Sequence, residues 1–102
     1  MAKLITIYWR DIPSQIVAKA GRRSTKIRLA HRFQEAIDRA AMRAGKGSSD
    51  AYLSEWRRDS RNCSDDLEAE AQAAADNLDQ QFSDSDLLVL IRSKGVASAA
   101  EE

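Results

Sequence analysis

The stretch KLITIYWRDIPSQIVAKAG, residues 3–21, decides the fold, because two apolar runs in it flank a short polar segment. Residues 3–9 are mostly β-branched or aromatic and contain no glycine or proline, a composition typical of a strand. Asp11 and Pro13 supply turn chemistry, since proline fixes its own φ and disfavours helix in the residue before it. Residues 15–20 precede Gly21 and are interpreted as a second strand. The stretch therefore predicts a β-hairpin with the loop RDIPS.

The clearest helical pattern follows this hairpin. Between residues 27 and 44 the apolar side chains recur every three or four residues, as on one face of an α-helix. Ser24 or Thr25 can cap the start of this helix. Gly45 and Gly47 are expected to end it.

Residues 51–58, AYLSEWRR, fit either a strand or a helix, because Tyr52 and Trp56 share a face in both. We interpret them as a third strand, since two strands alone make a marginal sheet. Residues 59–64, DSRNCS, are predicted to form a turn.

Two more helices are predicted in the last third of the sequence. Ser64 is the expected cap of the first, whose apolar stripe extends from Leu67 to Phe82 at helical spacing. The second begins after Ser83 or Ser85 and ends near Gly95.

The predicted order of elements is β-β-α-β-α-α. It indicates an α+β fold with a three-stranded antiparallel sheet and helices packed mainly on one face. A chain of 102 residues is expected to form one domain, which we place at residues 1–95, with residues 96–102 as a frayed tail. No apolar run approaches the roughly 18 residues of a membrane span, and residues 1–10 lack a signal-peptide pattern, so a cytoplasmic protein is expected.

Sixteen basic and sixteen acidic residues balance each other, but they are unevenly distributed. Basic residues predominate in the first two thirds of the chain and acidic residues in the last third. The basic part could bind a polyanion, or the two parts could pair with each other. Internal pairing is the favoured interpretation, because nucleic-acid modules seldom carry so many carboxylates beside a basic face.

The first candidate site consists of two groups of aromatic and arginine residues at the predicted strand ends. The sequence reads YWRDIP over residues 8–13 and EWRR over residues 55–58, so both tryptophans are followed by arginine. Such an arginine can stack on a ring or hold a carboxylate or phosphate, as interface anchors do. Alternatively, the tryptophans are core residues and the charged residues pair at the sheet rim. The predicted partner-binding residues are Tyr8, Trp9, Arg10, Asp11, Trp56, Arg57 and Arg58.

A second and weaker candidate is the basic run before the long helix. Arg22, Arg23 and Lys26 could hold an anion at the N-terminus of that helix, where free N–H groups and the helix dipole converge. No phosphate-loop pattern accompanies them. The alternative is a solvated basic loop that faces the acidic third of the chain.

The sequence predicts no metal site, no cofactor and no enzyme that acts alone. Cys63 and His31 are the only residues of their types, whereas a zinc site takes four clustered ligands. The acidic cluster at residues 65–70 lacks the pattern of a calcium loop and is explained by a helix dipole. A Cys–His nucleophile pair stays open as an alternative.

Four strings of the sequence resemble a small bacterial family known as the "virulence factor" domain, common as a stand-alone protein of this length in alphaproteobacteria. Together they cover most of residues 3–82. They are LITIYWRDIPSQIVAK at residues 4–19, RFQEAIDRAAMRAG at 32–45, DAYLSEWRR at 50–58, and DDLEAEAQAAA at 65–75, after a cysteine.

The resemblance implies genomic company rather than a chemistry, because genes of this family tend to lie beside those for folate- and corrinoid-dependent methyl transfer, including methylenetetrahydrofolate reductase-like proteins. The expected function is therefore a non-catalytic accessory protein or subunit that docks on a one-carbon enzyme. One alternative is a small domain that binds an anionic ligand, such as a folate or nucleotide, through Arg10, Arg22, Arg23, Arg57 and Arg58. Another is nucleic-acid binding by the basic part.

Overall fold

The computed structural model describes residues 2–45 and 49–96. The predicted tail thus lies, from residue 97 onward, outside the described residues, as does the predicted helix stop at Gly47. The described elements, in chain order, are β1 (Ala2–Trp9), β2 (Ile12–Ala20), β3 (Arg23–Arg28), α1 (His31–Arg43), α2 (Ser49–Leu53), β4 (Trp56–Cys63), α3 (Leu67–Gln81) and α4 (Asp84–Arg92).

The strands form one antiparallel sheet in the order β3-β2-β1-β4. The α+β class and the antiparallel sheet are confirmed, but the predicted number of three strands is wrong, because β3 occupies residues assigned to the start of the long helix. Ile27 lies opposite Ile16 of β2, and its side chain packs on the same core cluster. Backbone pairing with β2 therefore outweighs the helical spacing, and α1 begins only at His31. The predicted caps, Ser24 and Thr25, lie within β3.

The second difference lies in residues 49–64. The predicted strand at residues 51–58 is wrong in its first half, where α2 extends to Leu53, and the predicted turn at residues 59–64 is mostly strand β4. β4 pairs with β1 without a break, from Trp56 opposite Trp9 to Cys63 opposite Ala2. Backbone hydrogen bonds to β1 keep this polar segment extended, although its own sequence favours a turn.

The predicted hairpin is confirmed, but its loop is shorter than RDIPS. Arg10 and Asp11 alone form the turn, and Arg10 has a positive φ of 55°. Ile7 lies opposite Gln15 whereas Tyr8 lies opposite Pro13, so β2 carries one extra residue. Pro13 therefore lies beside a β-bulge, where a missing N–H is tolerated. The bulge changes the alternation of β2, so that Ile12 shares a face with Trp9.

The core consists of two clusters. In one, α3 packs on the sheet face formed by Ala2, Leu4, Ile16 and Ala18. In the other, α1 and α4 pack together around Trp9 and Ile12, at the turn end of β1 and β2. By strand alternation, Trp9 and Ile12 lie on the sheet face away from Leu4 and Ile16, so α3 covers one face while α1 and α4 pack at the turn end of the other. The predicted packing mainly on one face therefore describes α3 alone.

Polar caps define the starts of the last two helices. The side chain of Asp66 caps α3 by accepting a hydrogen bond from the Ala69 N–H at 3.3 Å, so the predicted cap, Ser64, is wrong. α4 begins after Ser83, one of the two predicted starts, and Ser83 and Asp86 form a reciprocal capping box there. Among the described residues, no helix is long and apolar enough to cross a membrane.

The Asp86 carboxylate should make stability sensitive to acid. It accepts a hydrogen bond from the Ser83 N–H at 3.0 Å, and this bond lowers the pKa of Asp86 below its ordinary value of 3.8. A pKa that is lower in the folded state stabilises the fold above 3.8, and the contribution is lost as the pH falls through the folded value. We expect Asp86→Asn to reduce the fall in Tm between about pH 6 and about pH 3.

The measurement is thermal unfolding followed by circular dichroism across that pH range. Asp76→Asn is the matched control, since Asp76 lies on the surface of α3 and, within residues 2–45 and 49–96, its carboxylate accepts a hydrogen bond only from Gln72 of its own helix. A fall in Tm of equal size in the Asp86→Asn protein and the wild type would contradict the prediction.

Candidate functional site

The predicted site lies at the turn end of β1 and β4, where Arg57 is directly opposite Tyr8. The Arg57 guanidinium lies over the Tyr8 ring, 4.3 Å from its centroid. Its Nε donates a hydrogen bond to the Arg10 carbonyl at 2.9 Å, and one terminal nitrogen donates to the Asp11 carboxylate at 3.2 Å. The guanidinium is therefore held on a ring, a carbonyl and a carboxylate at once.

This group remains accessible. The Arg57 side chain is 49% exposed and that of Asp11 is 34% exposed. Burial raises the pKa of Tyr8 above its ordinary value of 10.0, and Asp59 adds to the shift. Tyr8 is thus neutral at pH 7, and its contact with Arg57 is a cation–π contact. We call Tyr8, Asp11 and Arg57 the exposed arginine site.

Arg10 has a different role from Arg57. Its side chain is only 18% exposed and forms a salt bridge to Glu55 at 3.2 Å. It also donates to the Lys94 carbonyl at 2.9 Å and lies 5.3 Å from the centroid of the Trp9 ring. Arg10 therefore ties the β1–β2 turn to the segment just before β4 and to the residues that follow α4.

The two tryptophans are directed inward. Trp9 has no exposed surface, its Nε1 donates to the Tyr52 carbonyl at 2.9 Å, and its ring stacks on that of Tyr52. Trp56 is half-buried and meets the edge of the same tyrosine. Trp9 therefore cannot touch a partner. It can serve the predicted binding surface only by supporting the residues that do.

The remaining predicted residues are dispersed. Arg58 lies opposite Ile7, on the sheet face away from Arg57. Arg23 donates to the Asp65 carbonyl at 2.7 Å, whereas Lys26 lies on the other face of β3, opposite Val17. Arg22 lies in the turn before β3. The structure therefore does not bring the predicted anion site together, because the helix that was to form it begins at His31.

Sequence reasoning missed a groove beside the exposed arginine site. It lies between α3 and the β1–β4 pair, has a volume of about 230 Å³, and is lined in part by Tyr8, Asp59, Arg61 and Asn77. The sequence predicts a turn at Asp59 and Arg61. In a strand, alternate side chains point to the same face, and this places both residues on the face that lies under α3. Reading residues 56–63 as one strand would have found them.

The Cys–His pair that the sequence left open and the residue types that bind metals can both be located in the described part of the chain. No group of three His, Cys, Asp or Glu side chains there could hold a metal ion. Cys63 lies opposite Ala2 at one end of β1, whereas His31 lies in a pocket with Trp56 at the other end. These positions separate the two members of the Cys–His pair that the sequence left open.

One family model, described as virulence factor, matches residues 7–91. This range runs from the end of β1 nearly to the end of α4 and contains the exposed arginine site. Comparison with curated proteins and with solved structures finds no match. Because the match covers most of the 102 residues, the chain belongs to the virulence factor family.

Proposed function

We propose that the protein is a cytoplasmic, non-catalytic accessory protein that docks on a partner enzyme through the exposed arginine site. The observation that supports this most is the fixed position of Arg57, which stacks on Tyr8 and binds Asp11 while half of its side chain stays in contact with solvent. Arginine and tyrosine are enriched among the residues that contribute most to binding.

Fixing the arginine in advance favours binding for a physical reason. Ordering a long side chain at an interface costs about 0.5–1.5 kcal/mol, and here the hydrogen bonds to the turn of β1 and β2 have already imposed that order. The other N–H groups of the guanidinium have no partner among the described residues. They form a fork that suits a carboxylate of the partner.

The partner class that we propose is a folate- or corrinoid-dependent one-carbon enzyme, such as a methylenetetrahydrofolate reductase-like protein or a methyltransferase. This part of the proposal is supported by the genomic company that the family resemblance implies.

The geometry favours docking over the binding of a folate-sized anion. The groove beside the exposed arginine site measures about 230 Å³, whereas small-molecule pockets usually measure about 300–1,000 Å³. Of the five arginines considered for such a ligand, Arg10 is engaged internally and Arg58 lies on the opposite face. A protein surface can use Arg57 without needing an enclosed pocket.

Arg57→Ala should weaken docking by about 10- to 100-fold, because it removes the fork and the cation–π contact together. The test is to purify tagged wild-type protein from its native host and identify the copurifying one-carbon enzyme. The affinities of the wild type and of Arg57→Ala for that enzyme are then measured by biolayer interferometry. Arg57→Lys keeps the charge and loses the fork, so it should recover only part of the affinity.

Arg92→Ala is the control, since Arg92 is exposed in the last turn of α4. Docking through this site is refuted if Arg57→Ala retrieves the same partner with the affinity of the wild type. The one-carbon assignment fails separately if the partner that depends on Arg57 belongs to another class of enzyme.

A further inference from the structure

The face of the sheet opposite α3 carries an aliphatic centre that neither core cluster uses. Ile5 and Val17 are directly opposite each other on β1 and β2, and Ile7 follows on the same face. None of the three belongs to the clusters formed with the helices. Ile7 and Val17 are partly exposed, whereas Ile5 beside them is only 9% exposed. Partly exposed apolar side chains on the part of a sheet face that no helix covers are a feature that binding surfaces share.

Cations surround this centre on all four strands. Five exposed basic residues share the face by strand alternation. No side-chain hydrogen bond or salt bridge joins any of them to another part of the described chain. The five residues are Lys3, Lys19, Lys26, Arg28 and Arg58. We call them, with Ile5, Ile7 and Val17, the basic sheet face.

The register makes this arrangement costly for the isolated protein. Lys3 is directly opposite Lys19, and like charges in such a cross-strand pair destabilise a sheet. The neighbouring positions on the same face, Gln15, Ser60 and Asn62, are uncharged. Although the chain has as many acidic as basic residues, the strands place no carboxylate here to offset the repulsion. An acidic partner would offset it.

From this charge and shape we propose that the basic sheet face docks an acidic amphipathic helix of another protein. Four strands about 4.8 Å apart span about 14 Å between the outer strands, which accommodates a helix about 10–12 Å wide. Ile5 and Ile7 are about 6.6 Å apart along β1, close to one helical turn of about 5.4 Å. A ridge of apolar residues can lie on the aliphatic centre while flanking carboxylates reach Lys26 on one side and Arg58 on the other.

The same features argue against a nucleic acid. Single-stranded nucleic acids bind sheets through bases stacked on aromatic side chains. The centre of this face, from the Lys3–Lys19 pair to the Ile7–Gln15 pair, contains no aromatic residue. Trp9 and Trp56 lie on the same face at its turn end, but Trp9 has no exposed surface and Trp56 is half-buried against Tyr52. An aliphatic centre instead favours the apolar side chains of a protein.

A second copy of this chain fits less well than an acidic helix. Pairing two basic sheet faces would oppose cations with cations. The exposed side of α3 is acidic, with Asp76 and Asp79, and its exposed apolar side chains are the small Ala69 and Ala73, so it offers no ridge of large apolar side chains for the aliphatic centre. The proposal does not rest on the exposed arginine site, which faces the other side of the sheet.

The test uses a synthetic helical peptide of about 14 residues, roughly 21 Å long, with leucines at three- and four-residue spacing and glutamates on both flanks. Titrated into ¹⁵N-labelled protein, it should bind with a Kd below about 100 µM and shift the amide signals of Ile5, Ile7 and Val17. Arg58→Glu and Lys26→Glu should each weaken binding about tenfold, and Val17→Thr should weaken it without a loss of fold.

Arg61→Glu is the matched control, because Arg61 is an exposed cation on the same strand as Arg58 but on the other face. It should leave the Kd unchanged. A peptide of the same composition in scrambled order should bind at least about tenfold more weakly, since it lacks the apolar ridge. The absence of saturable binding, equal binding of the scrambled peptide, or tighter binding of a single-stranded oligothymidylate would overturn the proposal.

Discussion

Trp9→Ala is expected to lower the free energy of unfolding by about 3–5 kcal/mol, the largest effect among the substitutions considered. Trp9 has no exposed surface and packs in the cluster formed by α1 and α4. Its removal would leave a cavity. The Tyr52 carbonyl would also lose the hydrogen bond that it accepts from the indole N–H at 2.9 Å. The turn end of the sheet would then lose the side chain on which α1, α2 and α4 converge.

Two further variants separate the causes of this loss. Trp9→Phe keeps an aromatic ring but removes the N–H, so it should cost about 1–3 kcal/mol. Trp56→Ala removes the other tryptophan, which is half-buried, and should cost clearly less than Trp9→Ala. Urea unfolding followed by circular dichroism measures all three. Equal costs at the two tryptophans would contradict a core role that is specific to Trp9.

Trp9 also shows how far the sequence could define the candidate site. The repeated Trp-Arg pairs at residues 9–10 and 56–57 mark two segments that the sheet brings side by side. Only the register shows that Trp9 lies opposite Trp56 and that Arg57 lies opposite Tyr8. Because alternate residues of a strand point to opposite faces, an error in the bounds of β4 misplaces every side chain in it. For this reason the sequence grouped Arg58 with Arg57, although the two arginines lie on opposite faces.

The fold was predictable where the local pattern and the long-range pairing agree. The β1–β2 hairpin, the body of α1 and the capped start of α4 are elements of this kind. β3 and β4 are not, because their extended form depends on neighbours that are distant in sequence. Ile27 follows a helical spacing with later residues but pairs with Ile16, and the polar residues 59–62 form a strand only because they pair with β1. Such tertiary pairing outweighs intrinsic propensity.

Gly95→Ala is expected to lower the free energy of unfolding by about 2–4 kcal/mol, from positive-φ strain and a steric contact together. Gly95 has a φ of 86°, and a Cβ there would lie 3.0 Å from Cζ3 and 3.3 Å from Cε3 of Trp9. The Gly95 N–H donates to the Leu90 carbonyl at 2.6 Å, and the Gly95 carbonyl accepts from the Asp11 N–H at 2.8 Å. The end of α4 therefore cannot move away from Trp9 without losing its bond to the β1–β2 turn.

Gly21→Ala is the control for the backbone alone. Gly21 also has a positive φ, 59°, but a Cβ there would meet no atom within 4 Å, so only strain of about 1–2 kcal/mol is expected.

A double-mutant cycle then isolates the contact with the indole. Phenylalanine at position 9 lacks the second ring of the indole, so Gly95→Ala should cost less in the Trp9→Phe background than in the wild type. If Gly95→Ala costs no more than Gly21→Ala in both backgrounds, the close approach of α4 to Trp9 does not hold the turn in place. The hydrogen bonds from Arg10 to the Lys94 carbonyl and from the Asp11 N–H to the Gly95 carbonyl would then be what links the end of α4 to this turn.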